Sequence, residues 1–132
     1  MQYRSNSFLR TVLLADAIAS GATGLLMIAG AGLLEGLLGL PVALLREAGL
    51  LLIPYVAFVA YDGTRATISR AAVHAVIGLN VLWVAGSIGL LVSGWVAPTM
   101  LGYAFVIAQA AVVGVLAELQ LVGLRRSATA AA

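Results

Sequence analysis

The sequence predicts an all-α membrane protein, a four-transmembrane-helix bundle forming a single membrane domain over residues 1–132. Three observations carry this reading. The chain is 63% hydrophobic with a mean hydropathy of +1.12, more apolar surface than a soluble chain of this length can hide. Only 9% of its residues are charged, against roughly 25% in an ordinary soluble domain. The apolar residues also fall into four runs of about 20 residues or more, the length that crosses the hydrocarbon layer as a helix.

The first run covers roughly 8–32, after a short polar start containing Arg4; Arg10 lies just inside it. A basic start and an apolar core also describe a signal peptide. This core, however, is about 25 residues long against roughly 7–15 for a signal sequence, and Asp16 interrupts it. Residues 33–41, with Glu35, two glycines and Pro41, form a helix-breaking connector. It is still rich in leucine, which places it at the membrane interface, and its own conformation is left open. The second run, 42–61, begins with Arg46 and Glu47 near the headgroups and contains Pro54, a kink that membrane helices tolerate.

Residues 62–70 are the most polar stretch and read as a water-facing loop. The third run, 71–93, holds His74, Asn80, Trp83 and Ser87. A tight turn at 94–99 follows, with Trp95 as an interfacial anchor. The fourth run, 99–123, holds Gln109, Glu118 and Gln120, and the chain closes with Arg125, Arg126 and a frayed tail of small residues. Gly21-Ala22-Thr23-Gly24-Leu25-Leu26 matches Gly86-Ser87-Ile88-Gly89-Leu90-Leu91. Those runs point the same way, so the match reads as a parallel duplication of a helical hairpin.

All seven basic residues are arginines. With four spans, Arg4, Arg10, Arg65, Arg70, Arg125 and Arg126 share one side and Arg46 lies on the other. The excess of positive charge predicts that both termini are cytoplasmic. The net charge of +2 is a topology signal at helix ends, not a nucleic-acid footprint. The absence of cysteine excludes disulfides, thiolate nucleophiles and cysteine-ligated metals.

The candidate site is an intramembrane polar cluster of Asp16, Ser20, Asn80 and Glu118. Asp16, Ser20, Thr23 and Met27 share one helix face. At roughly 1.5 Å per residue, Asp16, Asn80 and Glu118 lie about 9–14 Å from their cytoplasmic helix ends. Tyr61, Asp62 and His74 sit near the same edge. Such a cluster either binds a proton, an ion or a small substrate, or fixes helix register through interhelical hydrogen bonds. Glu118 points almost opposite to Gln109 and Gln120 and is close enough to the helix end to snorkel. There is no zinc-binding HExxH, phosphate-binding glycine loop, nucleophile elbow or histidine pair, and no cofactor is expected.

The stretches 15–17, 20–24, 93–99 and 118–126 resemble small four-helix bacterial inner-membrane proteins, mostly uncharacterised. The resemblance implies a bacterial cytoplasmic membrane location and no activity. Asp16 also stands where small multidrug-resistance transporters carry an essential carboxylate, but that family uses Glu and lines its site with aromatic residues that are missing here. The expected role is therefore non-enzymatic: structural, accessory or interaction, within the lipid bilayer, as a homo-oligomer or beside another membrane protein, without nucleic acid. The alternative is a small dimeric proton- or cation-coupled transporter using Asp16.

Overall fold

The computed structural model describes residues 2–131, with side chains for residues 7–126. The side chains of Arg4 and of the tail beyond Arg126 lie outside the described residues. The helices are α1 (Gln2–Ala29), α2 (Ala31–Leu38), α3 (Val42–Thr64), α4 (Arg70–Ser93) and α5 (Met100–Ala131). All but α2 are long and apolar enough to cross a membrane, so the chain is a multi-pass all-α membrane protein.

α1 lies at the centre, packed on α3 along one side and on α5 along the other, and α5 packs on α4. α3 and α4 scarcely touch. The bundle is thus two hairpins, α1/α3 and α4/α5, joined by α1 against α5. The α1/α3 seam is close because glycines face each other there. A Cβ on Gly49 would lie 2.8 Å from the Gly24 carbonyl oxygen, and one on Gly24 would lie 3.3 Å from that of Gly49. Small residues at such a crossing let two backbones approach in the absence of a hydrophobic drive between helices.

Several boundaries differ from the sequence reading. The first run ends at Gly30, where the chain turns while keeping its hydrogen-bond ladder: the Gly30 N–H donates to the Leu26 carbonyl at 2.8 Å and the Leu34 N–H to that of Gly30 at 2.9 Å. Helix α2 therefore occupies most of the connector. It stops at Gly39, whose φ of +71° is left-handed and cheap only for glycine. The Glu35 carboxylate then accepts from the first amide of α3, Val42 N–H, at 3.2 Å, where a negative charge also complements the helix dipole.

The stretch 62–70 is only partly a loop. Asp62 and Gly63 belong to the last turn of α3 and are buried. The Arg10 guanidinium donates to the carbonyls of Gly63 at 2.9 Å and Arg65 at 2.7 Å, meeting the open end of α3 from α1. Asp62 Oδ1 accepts from the Ser69 N–H at 3.0 Å, and the Ser69 hydroxyl caps α4 by accepting from the Ala72 N–H at 3.2 Å. These bonds extend α3 by a turn beyond what its polar composition implies. α5 in turn continues past 123 to Ala131.

The matching glycine motifs of the first and third runs serve different ends. Gly24 packs on α3, whereas Cβ atoms at Gly86 and Gly89 would meet nothing within 4 Å.

At the far end of the bundle Thr99 ties α2 to the start of α5. Its N–H and hydroxyl donate to the carbonyls of Leu38 (2.9 Å) and Leu37 (2.7 Å), and the hydroxyl accepts from the Gly102 N–H at 3.1 Å. A Cβ at Gly102 would collide with the Leu38 carbonyl and come within 2.9 Å of Pro98 Cβ. Gly102→Ala is therefore expected to lower stability by about 1–3 kcal/mol, read as a lower thermal midpoint in detergent. Gly36→Ala, where nothing lies within 4 Å, is expected to be neutral or slightly stabilising.

Candidate functional site

The apolar interior is divided. One cluster, near the Arg10 end, contains Leu9, Leu13, Ala17, Val59, Val73, Val76 and Leu124. The other contains Met27, Ala31, Leu38, Leu45, Leu52 and Val106. Tyr55 packs against both, and the layer between them is polar. It consists of Asp16 (0% exposed), Asn80 (4%) and Gln120 (0%), with Tyr55 and Ser20 half-buried.

Each of the four long helices contributes to this layer. Asp16 Oδ1 accepts from the Ser20 hydroxyl, one turn along α1, at 2.9 Å. Asp16 Oδ2 lies 2.5 Å from the Tyr55 hydroxyl oxygen of α3 and 2.7 Å from Gln120 Nε2 of α5. Asn80 of α4 places Oδ1 2.7 Å from the Tyr55 hydroxyl oxygen, and its Nδ2 donates to Gln120 Oε1 at 2.9 Å. The second N–H of Asn80 reaches Asp16 Oδ2 at 3.3 Å. Among the described residues no guanidinium bonds to Asp16: that of Arg10 is bonded to backbone carbonyls and that of Arg70 donates to the Leu124 carbonyl.

The structure thus brings Asp16, Ser20 and Asn80 together and leaves Glu118 out. Glu118 is exposed on the outer face of α5. Two helix positions differ by about 200° around the axis, so with Gln120 turned inward Glu118 must turn outward, and Gln120 takes the place expected for it. Tyr61 and His74 are likewise exposed. Tyr55 is the residue that sequence reasoning missed. Tyr55, in the middle of α3, lies at the level of Asp16, whereas Tyr61 and Asp62 lie nearer the end of α3 at Thr64. Gln120 carried a signal in its shared face with Gln109.

A second, smaller polar group pins α4 to α5 further along. Trp83 Nε1 donates to Gln109 Oε1 at 2.7 Å, and Gln109 Nε2 donates to the Ser87 hydroxyl at 3.0 Å.

Between α3 and α4 lies a laterally open cleft of about 710 Å³. Leu51, Leu52, Phe58, Leu79, Leu82, Trp83 and Gly86 are among its walls, and Tyr55 and Asn80 also line it. The cleft is therefore apolar, with the polar layer at one point of its floor. Among the described residues no group of three or more histidine, aspartate or glutamate side chains converges as a metal site would require. The chain matches no protein-family model, no curated protein and no solved structure.

The polar layer makes Asn80 the most sensitive position for register. Asn80→Leu removes one partner each from Tyr55, Gln120 and Asp16 and leaves the buried Gln120 Oε1 unpaired, which costs about 1–3 kcal/mol. A clear fall in thermal midpoint in detergent is expected, while Glu118→Gln on the outer face is expected to leave the midpoint within about 0.5 kcal/mol of the parent.

Proposed function

We propose that this chain is a non-enzymatic protein of the bacterial cytoplasmic membrane that works by association within the bilayer, with a second copy of itself seated against the α3/α4 cleft. The carrying observation is the cleft itself. Three sides of the bundle are closed by helix packing, and the fourth is an apolar groove between two spans.

An exposed face of α4 beside that groove, sharing Leu82 with it, supports a second copy as the occupant. Ala75, Gly78, Leu82, Ala85 and Gly89 recur at alternating steps of three and four, all exposed, the spacing of a left-handed helix–helix seam. A Cβ at Gly78, Gly86 or Gly89 would meet nothing within 4 Å, whereas Gly24 and Gly49 are tightly used inside the bundle. Glycine in a helix costs about 1 kcal/mol relative to alanine, so unpacked glycines on one face argue for close approach by another backbone. A two-fold contact uses the same patch on both copies, and the stripe with its adjoining groove offers such a patch. Asp16 supports the structural side of this reading, because both its oxygens are engaged and it has no exposed surface.

The orientation follows from charge. Arg10, Arg65, Arg70, Arg125 and Arg126 lie at one end and Arg46 at the other, an excess of positive charge that supports a cytoplasmic location for the arginine-rich end and both termini.

The absence of native cysteine makes the test direct. Single cysteines at Gly78, Leu82 and Ala85 are expected to give disulfide-linked dimers on mild oxidation in membranes, and one at Ile18, 74% exposed on α1, is expected to give none. The purified chain is expected to have the mass of a dimer by light scattering in detergent. A monomeric mass together with no crosslink at any α4 position would overturn the association. Reporter fusions at residues 40 and 66 test orientation separately, with the second expected on the cytoplasmic side.

A further inference from the structure

Asp16, Tyr55, Asn80 and Gln120 form a closed ring of four contacts: Asp16 Oδ2 to the Tyr55 hydroxyl oxygen (2.5 Å), that oxygen to Asn80 Oδ1 (2.7 Å), Asn80 Nδ2 to Gln120 Oε1 (2.9 Å), and Gln120 Nε2 to Asp16 Oδ2 (2.7 Å). Each contact is a hydrogen bond only if one proton lies between its two heavy atoms. The Tyr55 phenol has one proton to give. Within these four contacts each primary amide places its nitrogen in one and its oxygen in another, so each supplies one proton to them, whichever way it is turned; the second N–H of Asn80 points across the ring to Asp16 Oδ2 at 3.3 Å. Three protons are available for four contacts.

We infer that Asp16 is a proton-binding site, holding a proton on Oδ2 in the assembled bundle. The neutral acid supplies the fourth proton, and every bond then runs in one direction: Asp16 Oδ2–H donates to Tyr55, Tyr55 to Asn80 Oδ1, Asn80 Nδ2 to Gln120 Oε1, and Gln120 Nε2 back to Asp16 Oδ2. Bonds aligned head to tail polarise one another favourably. An ionised Asp16 leaves two acceptor oxygens facing each other at under 3 Å in a buried layer, where an unmade hydrogen bond is costly.

The surroundings agree with a neutral group. Asp16 is faced by Ser20 on its own helix, Tyr55 from α3, Asn80 from α4 and Gln120 from α5. Tyr55 is the only titratable side chain among these partners, and none is a cation. Beyond them lie Leu13, Ala17, Val59 and Val76 of the apolar cluster.

The proton count also separates aspartic acid from its closest substitute. An amide at position 16 turns either its oxygen or its nitrogen toward Tyr55 and Gln120. With oxygen there, the ring has three protons for four contacts. With nitrogen there, two N–H groups point into the ring, making five protons for four contacts, so one of them, such as the Tyr55 phenol proton, must leave the ring. A carboxylic acid, whose hydroxyl oxygen donates once and also accepts, closes the ring with one proton in each contact.

The chain contains only two aspartates, Asp16 and Asp62, so the test can use the native protein. Protein labelled with [4-¹³C]aspartate and reconstituted in lipid vesicles at neutral pH is examined by infrared spectroscopy. An isotope-shifted carboxylic-acid carbonyl band is expected, and it is expected to persist in Asp62→Asn. Carboxylate bands alone, or an acid band lost in Asp62→Asn, would overturn the assignment. In parallel, Asp16→Asn is expected to lower the thermal midpoint in detergent by roughly 2–8 °C although it removes no packing volume. An unchanged or raised midpoint is the result expected for an ionised Asp16 and counts against the proton. If Asp16→Asn fails to assemble, the labelled native protein still decides the matter.

Discussion

Inside a bilayer no water is at hand to pair a polar group, and the whole bundle is arranged around that constraint at one level. Asp16, Tyr55, Asn80 and Gln120 come from four different helices and satisfy one another. Because their bonds are short and directional, they close at one relative register of the helices. Sliding any helix by one residue moves its side chain about 1.5 Å along and 100° around the axis, which breaks two of the ring's bonds at once. Apolar packing in lipid has little such discrimination, since leucine against leucine and leucine against an acyl chain are nearly equivalent. The apolar clusters on either side of the ring supply contact area; the ring decides which areas meet.

The same constraint recurs at the helix ends, where backbone carbonyls and amides lack partners of their own. Several helix ends are tied by side chains of neighbouring elements. Arg10 of α1 donates to carbonyls at the end of α3, Thr99 bonds the end of α2, and Glu35 of α2 accepts from the start of α3, while Arg70 at the start of α4 bonds the Leu124 carbonyl within α5. These charges and hydroxyls therefore serve two ends. They mark topology through their position along the chain, and they hold neighbouring helices together at the level where the bilayer becomes wet.

Much of this was legible in the sequence because it depends on composition over long windows. Four spans follow from hydropathy, and the shared face and depth of Asp16, Ser20 and Asn80 follow from helical period. What failed depended on a few residues or on partners distant in sequence. The helical connector α2 was hidden by its glycines, because Gly30 turns the chain without interrupting the backbone ladder. Asp62 read as solvent-facing because its neighbours are polar, yet Arg10, more than fifty positions earlier, closes over that turn. Tyr55 sits at the depth of Asp16 on its helix, but a tyrosine in an apolar helix carries no charge to call attention to it. Glu118 was drawn into the cluster by its charge, whereas the inward position belonged to the neutral Gln120 two residues on.

The ring also bears on the open side of the bundle. α3 and α4 hardly pack against each other, and the Tyr55–Asn80 hydrogen bond at 2.7 Å crosses the gap between them. Both residues line the cleft and both belong to the ring. Whatever fills the cleft therefore presses on the two side chains that close the ring across the weakest seam, and a widening of the seam must lengthen that bond first. The proton on Asp16 and the cleft are in this way linked through the same pair of atoms: with the ring complete, α3 and α4 are held at one separation, which fixes the shape of the groove presented to the membrane. Once the Tyr55–Asn80 bond opens, α4 is held in the ring by Gln120 of α5 and by the longer Asn80–Asp16 contact to α1, so the hairpin α4/α5 is the part of the bundle whose position depends most directly on the ring.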